Sequence, residues 1–161
     1  MRANIFSPEY MLSNAFAIVV LLLAIKRPFG ARALLLMLFA GAALFNIYMA
    51  TRHPEKYLVY GDLAAFPLYE TFIKGSFSRH IMAYVLPIAI IQLLISTGLF
   101  MKGKWQHIAL IGAIVFFVAI APLGAGAAFP FTIILAIACL VLLFSHSHDT
   151  IKVNKHENAY K

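Results

Sequence analysis

The sequence predicts an all-α polytopic membrane helical bundle, and three observations carry that prediction. Of the 161 residues, 63% are hydrophobic and 12% are charged, whereas about a quarter of the residues in a soluble domain are charged. Every Lys, Arg, Asp and Glu falls outside five apolar stretches, and an ionised side chain is costly in hydrocarbon. A helix needs about 20 residues to cross a bilayer, and each stretch comes close to this length when its flanking residues are included. They are residues 11–25, 33–50, 81–101, 108–121 and 127–144.

Five spans leave no room for a separate soluble domain, so we expect one membrane domain. The expected spans are about 9–25, 31–50, 80–101, 106–121 and 127–145, with a polar outer segment at 52–79 and a C-terminal tail at 146–161. Pro28 and Gly30 predict a tight turn over Lys26–Gly30, between the first two spans. The second span carries the small-residue cluster Ala40–Ala43, which favours close approach of a neighbouring helix.

Two polar amides lie inside the spans. Asn46 follows the small-residue cluster, and we expect it to hydrogen-bond to another helix, with ligand contact as the alternative. Gln92 and Ser96 are four residues apart and therefore share one face of the third span, which we expect to face other helices. Asn46 and Gln92 are thus the intramembrane polar candidates.

The last two spans are separated by the segment Pro122–Pro130. Its prolines bracket two glycines, which predicts a tight helical hairpin, with close approach of a ligand to the glycines as the alternative. Ala109 and Ala113 predict a small-residue contact on the fourth span.

The basic residues predict the orientation. Eight of the thirteen lie in the connections 26–32 and 102–105 and in the tail, and cytoplasmic loops carry the excess of Lys and Arg. We therefore expect the N-terminus outside and the C-terminus in the cytoplasm, in the bacterial plasma (inner) membrane. The outer segment and the Pro122–Pro130 turn then lie together on the outer face. Because these bases flank apolar runs, we expect the lipid bilayer and not nucleic acid as their partner.

The outer segment has two interpretations. It is either an interfacial cap with solvated charges or a shallow ligand-binding site. A histidine beside a carboxylate can relay protons near neutral pH, and the planar fork of an arginine can hold a lipid phosphate or a carboxylate. The candidate ligand-binding residues are Arg52, His53, Asp62, Glu70, Arg79 and His80.

Catalytic signatures are missing from the sequence. Cys139 is the only cysteine, so no disulfide or CxxC pair forms within the chain. The sequence contains no HExxH, Gly-rich phosphate loop or GxSxG motif. The histidines all lie at span ends or in loops, which argues against haem between the spans. His146 and His148 point to different faces of a helix, so we expect no metal and lean against an enzyme.

The order of elements resembles the DoxX-like small integral membrane proteins. The resemblance covers Ala31–Phe144: a small-residue span with Asn46, a polar connection, a span running from Gln92 into the basic turn at Lys102–Lys104, and an apolar hairpin. It implies a four-helix core with the first span as an addition. It also implies a link to quinone-coupled redox complexes or oxidative-stress systems, and it supplies no catalytic residues.

Three functions stay open at this level. The first is a non-catalytic subunit or scaffold of a membrane complex, redox-linked if the resemblance holds, that packs against a partner membrane protein or a second copy of itself. The second is a quinone- or lipid-binding protein with chemistry at residues 52–80. The third is a component of a small-solute transporter with an uncharged path along Asn46 and Gln92.

Overall fold

A computed structural model of the protein describes residues 7–124 and 128–145 with their side chains, and the backbone of residues 146–159. These residues form helices and turns without a β-sheet, which confirms the all-α fold class. The helices are α1 (Pro8–Lys26), α2 (Pro28–Arg52), α3 (Val59–Leu63), α4 (Pro67–Phe72), α5 (Ile81–Phe100), α6 (Lys104–Ile120) and α7 (Phe131–Ala159).

Four helices are long and apolar enough to cross a membrane: α1, α2, α5, and α6 with the 3₁₀ turn that follows it. The apolar part of α7, Phe131–Ser145, is shorter, so the fifth span stays a prediction. All five long helices expose large apolar side chains, and so large an exposed apolar surface indicates a lipid environment. Examples are Ile18, Leu44, Leu94, Ile111 and Leu140. The chain is a helical membrane protein.

The five long helices form a closed ring. Each packs chiefly against two others, in the order α1, α2, α5, α6, α7 and back to α1. One core cluster takes a buried residue from each of these five helices, including Ala17, Leu35, Ile95, Leu110 and Leu135. Helix α1 is therefore an integral member of the ring, packed against both α2 and α7.

The connection between α1 and α2 is shorter than the sequence predicts. Only Arg27 lies between the two helices, and its N–H donates to the Leu23 carbonyl at 2.7 Å. Pro28 occupies the first position of α2, where its missing N–H costs nothing and its fixed φ suits a helix. Gly30 lies in the first turn of α2, where its N–H donates to the Arg27 carbonyl at 2.9 Å.

Helices α5 and α6 approach each other closely at Gly98 of α5. A methyl group at Gly98 would lie 2.7 Å from the Ala109 Cβ of α6. Ala109 and Ala113 are buried, in agreement with the small-residue contact predicted for this span. Gly41, in the small-residue cluster of α2, has no atom of another element within 4 Å of such a methyl group. That glycine does not mediate a helix contact.

We expect Gly98→Ala to destabilise the protein by about 1–3 kcal/mol, because the added methyl group overpacks the contact between α5 and α6. The measurement is the thermal unfolding temperature in a mild detergent, with circular dichroism as the readout. Gly41→Ala is the matched control, and we expect it to leave the unfolding temperature unchanged or slightly raised. Equal effects of the two substitutions would contradict this account.

Candidate functional site

Residues 53–80, between α2 and α5, fold over one end of the bundle, and we call this segment the lid. It consists of a 3₁₀ turn (Pro54–Leu58), α3, α4 and a π turn (Ile73–Phe77). Pro54 and Pro67 each begin one of these pieces because proline suits the first turn of a helix. Ile73 and Phe77 of the lid form a second apolar cluster with residues of α2 and α5. The lid therefore covers the bundle end in the way the cap interpretation predicts.

The lid is joined to the connection between α6 and α7. The Ala65 N–H donates to the Pro122 carbonyl at 2.9 Å, and the Tyr69 hydroxyl donates to the Ala119 carbonyl at 2.8 Å. The outer segment and the turn therefore lie together at one end of the bundle, where the sequence predicts them. We call this end the lid end.

Gly124 permits this contact. Its φ is +99°, which L side chains rarely adopt, and a methyl group there would overlap the Leu63 carbonyl oxygen of the lid. The described glycine of the turn thus combines turn geometry with close approach of the lid backbone. Gly126, the other glycine of this turn, lies outside the described residues.

A chain of three polar side chains lies beneath the lid. The Tyr57 hydroxyl donates to Asn46 Oδ1 at 2.9 Å, and Asn46 Nδ2 donates to Gln92 Oε1 at 2.9 Å. The hydrogen bond between Asn46 and Gln92 joins α2 to α5, which confirms the interhelical role predicted for Asn46. Ser96 is buried on the same face as Gln92 and donates to the Leu36 carbonyl at 3.0 Å. Nothing in the sequence distinguishes Tyr57 from the other five aromatic residues of this segment.

A cavity of about 350 Å³ lies against this chain, between the lid, α2, α5, α6 and the start of α7. Its polar lining consists of two amides and three phenols, and the rest of its lining is apolar. No charged side chain is among the lining residues that the structure describes. The polar residues are Asn46, Gln92, Tyr57, Tyr60 and Tyr69.

The cavity holds neutral hydrogen-bond donors. Burial, and to a smaller degree the neighbouring Tyr60, raises the pKa of Tyr57 to about 12, and burial raises the pKa of Tyr60 as well. Both phenols therefore stay protonated at neutral pH. The Tyr57 hydroxyl is bonded to Asn46, whereas the Tyr60 hydroxyl and the Gln92 amide nitrogen donate to no residue in the described part of the chain. Two donors are thus left for a ligand.

An ion-pair cluster lies on the outer surface of the lid. Lys74 Nζ lies 2.9 Å from Asp62 Oδ1 and 2.7 Å from Glu70 Oε1. The hydrogen bond from Lys74 lowers the pKa of Asp62, and the bonds to Glu70 and Asp62 raise the pKa of Lys74. Gly61 allows α3 to approach, since a methyl group there would lie 3.2 Å from Lys74 Cγ. The cluster therefore joins α3, α4 and the π turn.

The other four candidate residues proposed from the sequence, Arg52 at the end of α2 and three in the lid, lie apart from this cluster. His53 Nδ1 is 3.7 Å from Glu55 Oε1. Arg52, Arg79 and His80 are exposed, and their side chains form no ion pair or hydrogen bond with a residue in the described ranges. None of the six candidates lines the cavity, and their role in ligand binding stays a prediction.

No group of three His, Cys, Asp or Glu side chains within the described residues is placed to hold a metal ion. The side chains of His146 and His148 lie outside that part of the structure.

Comparison of the chain with family models, curated proteins and solved structures found no match. The resemblance to the DoxX-like proteins therefore stays a prediction.

We expect the order of the lid to depend on pH through Lys74. Because the pKa of Asp62 is lowered in the folded protein, its ionised carboxylate stabilises the lid at neutral pH. This stabilisation is lost in acid, at pH values below the ordinary aspartate pKa of about 3.9, as the carboxylate becomes protonated. The raised pKa of Lys74 gives a stabilisation that is lost only in strongly alkaline solution. The measurement is the mobility of a spin label at Thr71→Cys in a Cys139→Ala background.

Lys74→Met should make this label mobile at neutral pH and remove the change in acid. Lys56→Met is the matched control, because Lys56 is an exposed lid lysine without an ion pair to any described residue. A Lys74→Met variant with the parent's pH profile would show that the cluster does not hold the lid.

We expect Gly124→Ala to loosen the lid, since both its φ and the Leu63 carbonyl oppose a side chain at this position. The same spin label should become more mobile at all pH values. Gly75→Ala is the control, because a methyl group at Gly75 meets no atom within 4 Å. If the label keeps its mobility in the Gly124→Ala protein, the turn does not secure the lid.

Proposed function

We propose that this protein is a non-catalytic integral membrane subunit that binds a neutral, ring-sized amphiphile of the quinone class in the cavity beneath the lid. The observation that carries the proposal is the pairing of apolar, aromatic walls with two unused neutral donors, the Tyr60 hydroxyl and the Gln92 amide. Quinone carbonyls are hydrogen-bond acceptors, and such donors complement them.

The size and polarity of the cavity support this ligand class. A volume of about 350 Å³ falls within the roughly 300–1,000 Å³ of small-molecule sites. Rings such as Phe72, Phe77 and Phe116 line it and favour offset or edge contacts with a planar ligand. A charged head group would lose its hydration without meeting a counter-charge among the described lining residues, which disfavours a phospholipid here.

One side of the cavity reaches the surface of the bundle. Phe72 is 42% exposed, and Ala119 of α6 is exposed too, although both line the cavity. The hydrogen bond from Tyr69 of α4 to Ala119 lies on this side. We propose that a ligand dissolved in the hydrocarbon enters here, between α4 and α6, without crossing water.

The lining favours binding over catalysis. Its described residues include no thiol, imidazole, carboxylate or amine to transfer a proton or attack a substrate. A subunit that holds a quinone for a partner protein fits this chemistry, and the DoxX-like resemblance supplies the proposed redox link. Asn46 and Gln92 bond each other, so we do not carry the transporter interpretation forward.

The location is proposed from the charges. Five basic residues lie at the end of the bundle opposite the lid: Lys26, Arg27, Arg32, Lys102 and Lys104. An excess of Lys and Arg at one end favours a cytoplasmic position for that end. This arrangement supports a bacterial inner-membrane protein with the N-terminus and the lid outside and the C-terminus in the cytoplasm.

The test is binding of a short-chain benzoquinone to the detergent-purified protein, measured as a concentration-dependent rise in melting temperature. We expect Tyr60→Phe to weaken binding about fivefold, the value of one net hydrogen bond of about 1 kcal/mol. The melting temperature without ligand should not change, because the Tyr60 hydroxyl has no partner within the described residues. Tyr48→Phe is the control, an exposed lid-end tyrosine outside the cavity.

Organic extraction of the purified protein, followed by mass spectrometry, provides an independent readout. A bound quinone at about one per chain supports the proposal. Absence of both a bound quinone and a melting shift, or equal affinities of the Tyr60→Phe and parent proteins, would refute it. Co-purification of other chains with an empty cavity would instead favour a pure scaffold.

A further inference from the structure

A second concave surface lies at the end opposite the lid, which we call the basic end. It is a groove of about 750 Å³ between α2 and α5, lined by apolar residues and two cations. Arg32 of α2 and Lys102, in the turn after α5, are the cations. The groove is remote from the lid cavity and shares no lining residue with it.

The charge at this end is not compensated by the neighbouring connections. Residues 26–32 and 101–107 contain five Lys and Arg and no Asp or Glu. In the whole chain, residues 10–54 and 71–148 lack an acidic side chain. Each base close to a membrane surface attracts anionic lipid by about 1 kcal/mol. The groove therefore lies in a field that favours an anion.

The side chain of Arg32 is held in a position from which it can contact an anion in the groove. One of its guanidinium nitrogens donates to Gln106 Oε1 of α6, and its guanidinium carbon lies 5.9 Å from the Phe29 ring centroid. Gln106 is buried, so this anchor is fixed. The other N–H groups of the fork keep the geometry that binds a phosphate by two hydrogen bonds. Lys102 is exposed beside it and adds a second positive charge.

The polarity of the groove changes with depth. Leu36 and Met37 lie about one helical turn further into the bundle than Arg32. Leu99 precedes Lys102 on the α5 side, and Phe100 lines the groove with 81% of its surface exposed. Charge at the bundle end and apolar side chains towards the middle reproduce the order of head group and acyl chain in a phospholipid.

We propose that this groove is a binding site for an anionic phospholipid, with the phosphate on Arg32 and Lys102 and an acyl chain along Leu36 and Leu99. A second copy of this chain would bring the same cluster of bases and be repelled. A zwitterionic lipid would bring an ammonium group to the same cations. The proposal does not depend on the function proposed for the lid cavity.

The test uses quenching of an indole by lipids with brominated acyl chains. Trp105→Phe removes the only tryptophan, and Phe100→Trp places an indole in the groove, where exposure leaves room for it. The protein is reconstituted in phosphatidylcholine vesicles that contain brominated phosphatidylglycerol or, separately, brominated phosphatidylcholine. Leu94→Trp in the Trp105→Phe background is the matched control, an exposed α5 position outside the groove.

We expect a several-fold preference for phosphatidylglycerol at the groove and none at the control position. Lys102→Gln should reduce the preference about fivefold, the value of one lysine at a membrane surface, and Arg32→Gln should reduce it further. Lys26→Gln should reduce it much less, because Lys26 contributes to the field at this end but does not line the groove.

Three outcomes would overturn the proposal. Equal quenching by both lipids at the groove would show that no lipid is selected. An equal loss in Lys26→Gln and Lys102→Gln would show a diffuse surface charge in place of a site. Relief of quenching by millimolar inorganic phosphate would show that phosphate alone, without acyl chains, occupies the cations. Since Lys102 is exposed, its variant should fold even where Arg32→Gln does not.

Discussion

The side-chain amide of Asn46 fixes both the pairing of α2 with α5 and the position of the lid on the bundle. Hydrocarbon offers no hydrogen bonds, so a polar side chain within a span has to find its partners inside the protein. Asn46 donates to Gln92 on α5 and accepts from Tyr57 of the lid. One side chain therefore sets the register of two helices and the depth of the segment above them. The cavity lies where α2, α5 and the lid meet at this side chain.

The two ends of the bundle differ in how their charged side chains are paired. At the lid end Lys74 pairs with the carboxylates of Asp62 and Glu70 on the outer surface, and the described lining of the cavity beneath them is uncharged. At the basic end Arg32 and Lys102 meet no carboxylate from the adjoining connections. The first arrangement favours an uncharged ligand dissolved in the bilayer, and the second favours an anionic lipid. The same apolar ring separates and supports both.

Features that depend on local composition could be predicted from the sequence, whereas features that depend on register could not. The spans follow from runs of apolar residues, and Pro54 and Pro67 mark the pieces of the lid because proline acts on its own backbone. The partner of Tyr57 and the contact between Gly98 and Ala109 depend on how distant elements align. Small residues alone do not reveal which face meets a neighbour. The cavity, formed by five separate elements, carries no linear signal at all.

The closed ring also bears on how the protein can associate with others. Because α1 contacts α7, the first and last long helices meet, and the circle of helices has no seam. A partner helix has no gap to insert into and has to lie against the outer, lipid-facing surface. A helix added at this perimeter would leave the packing of the interior unchanged.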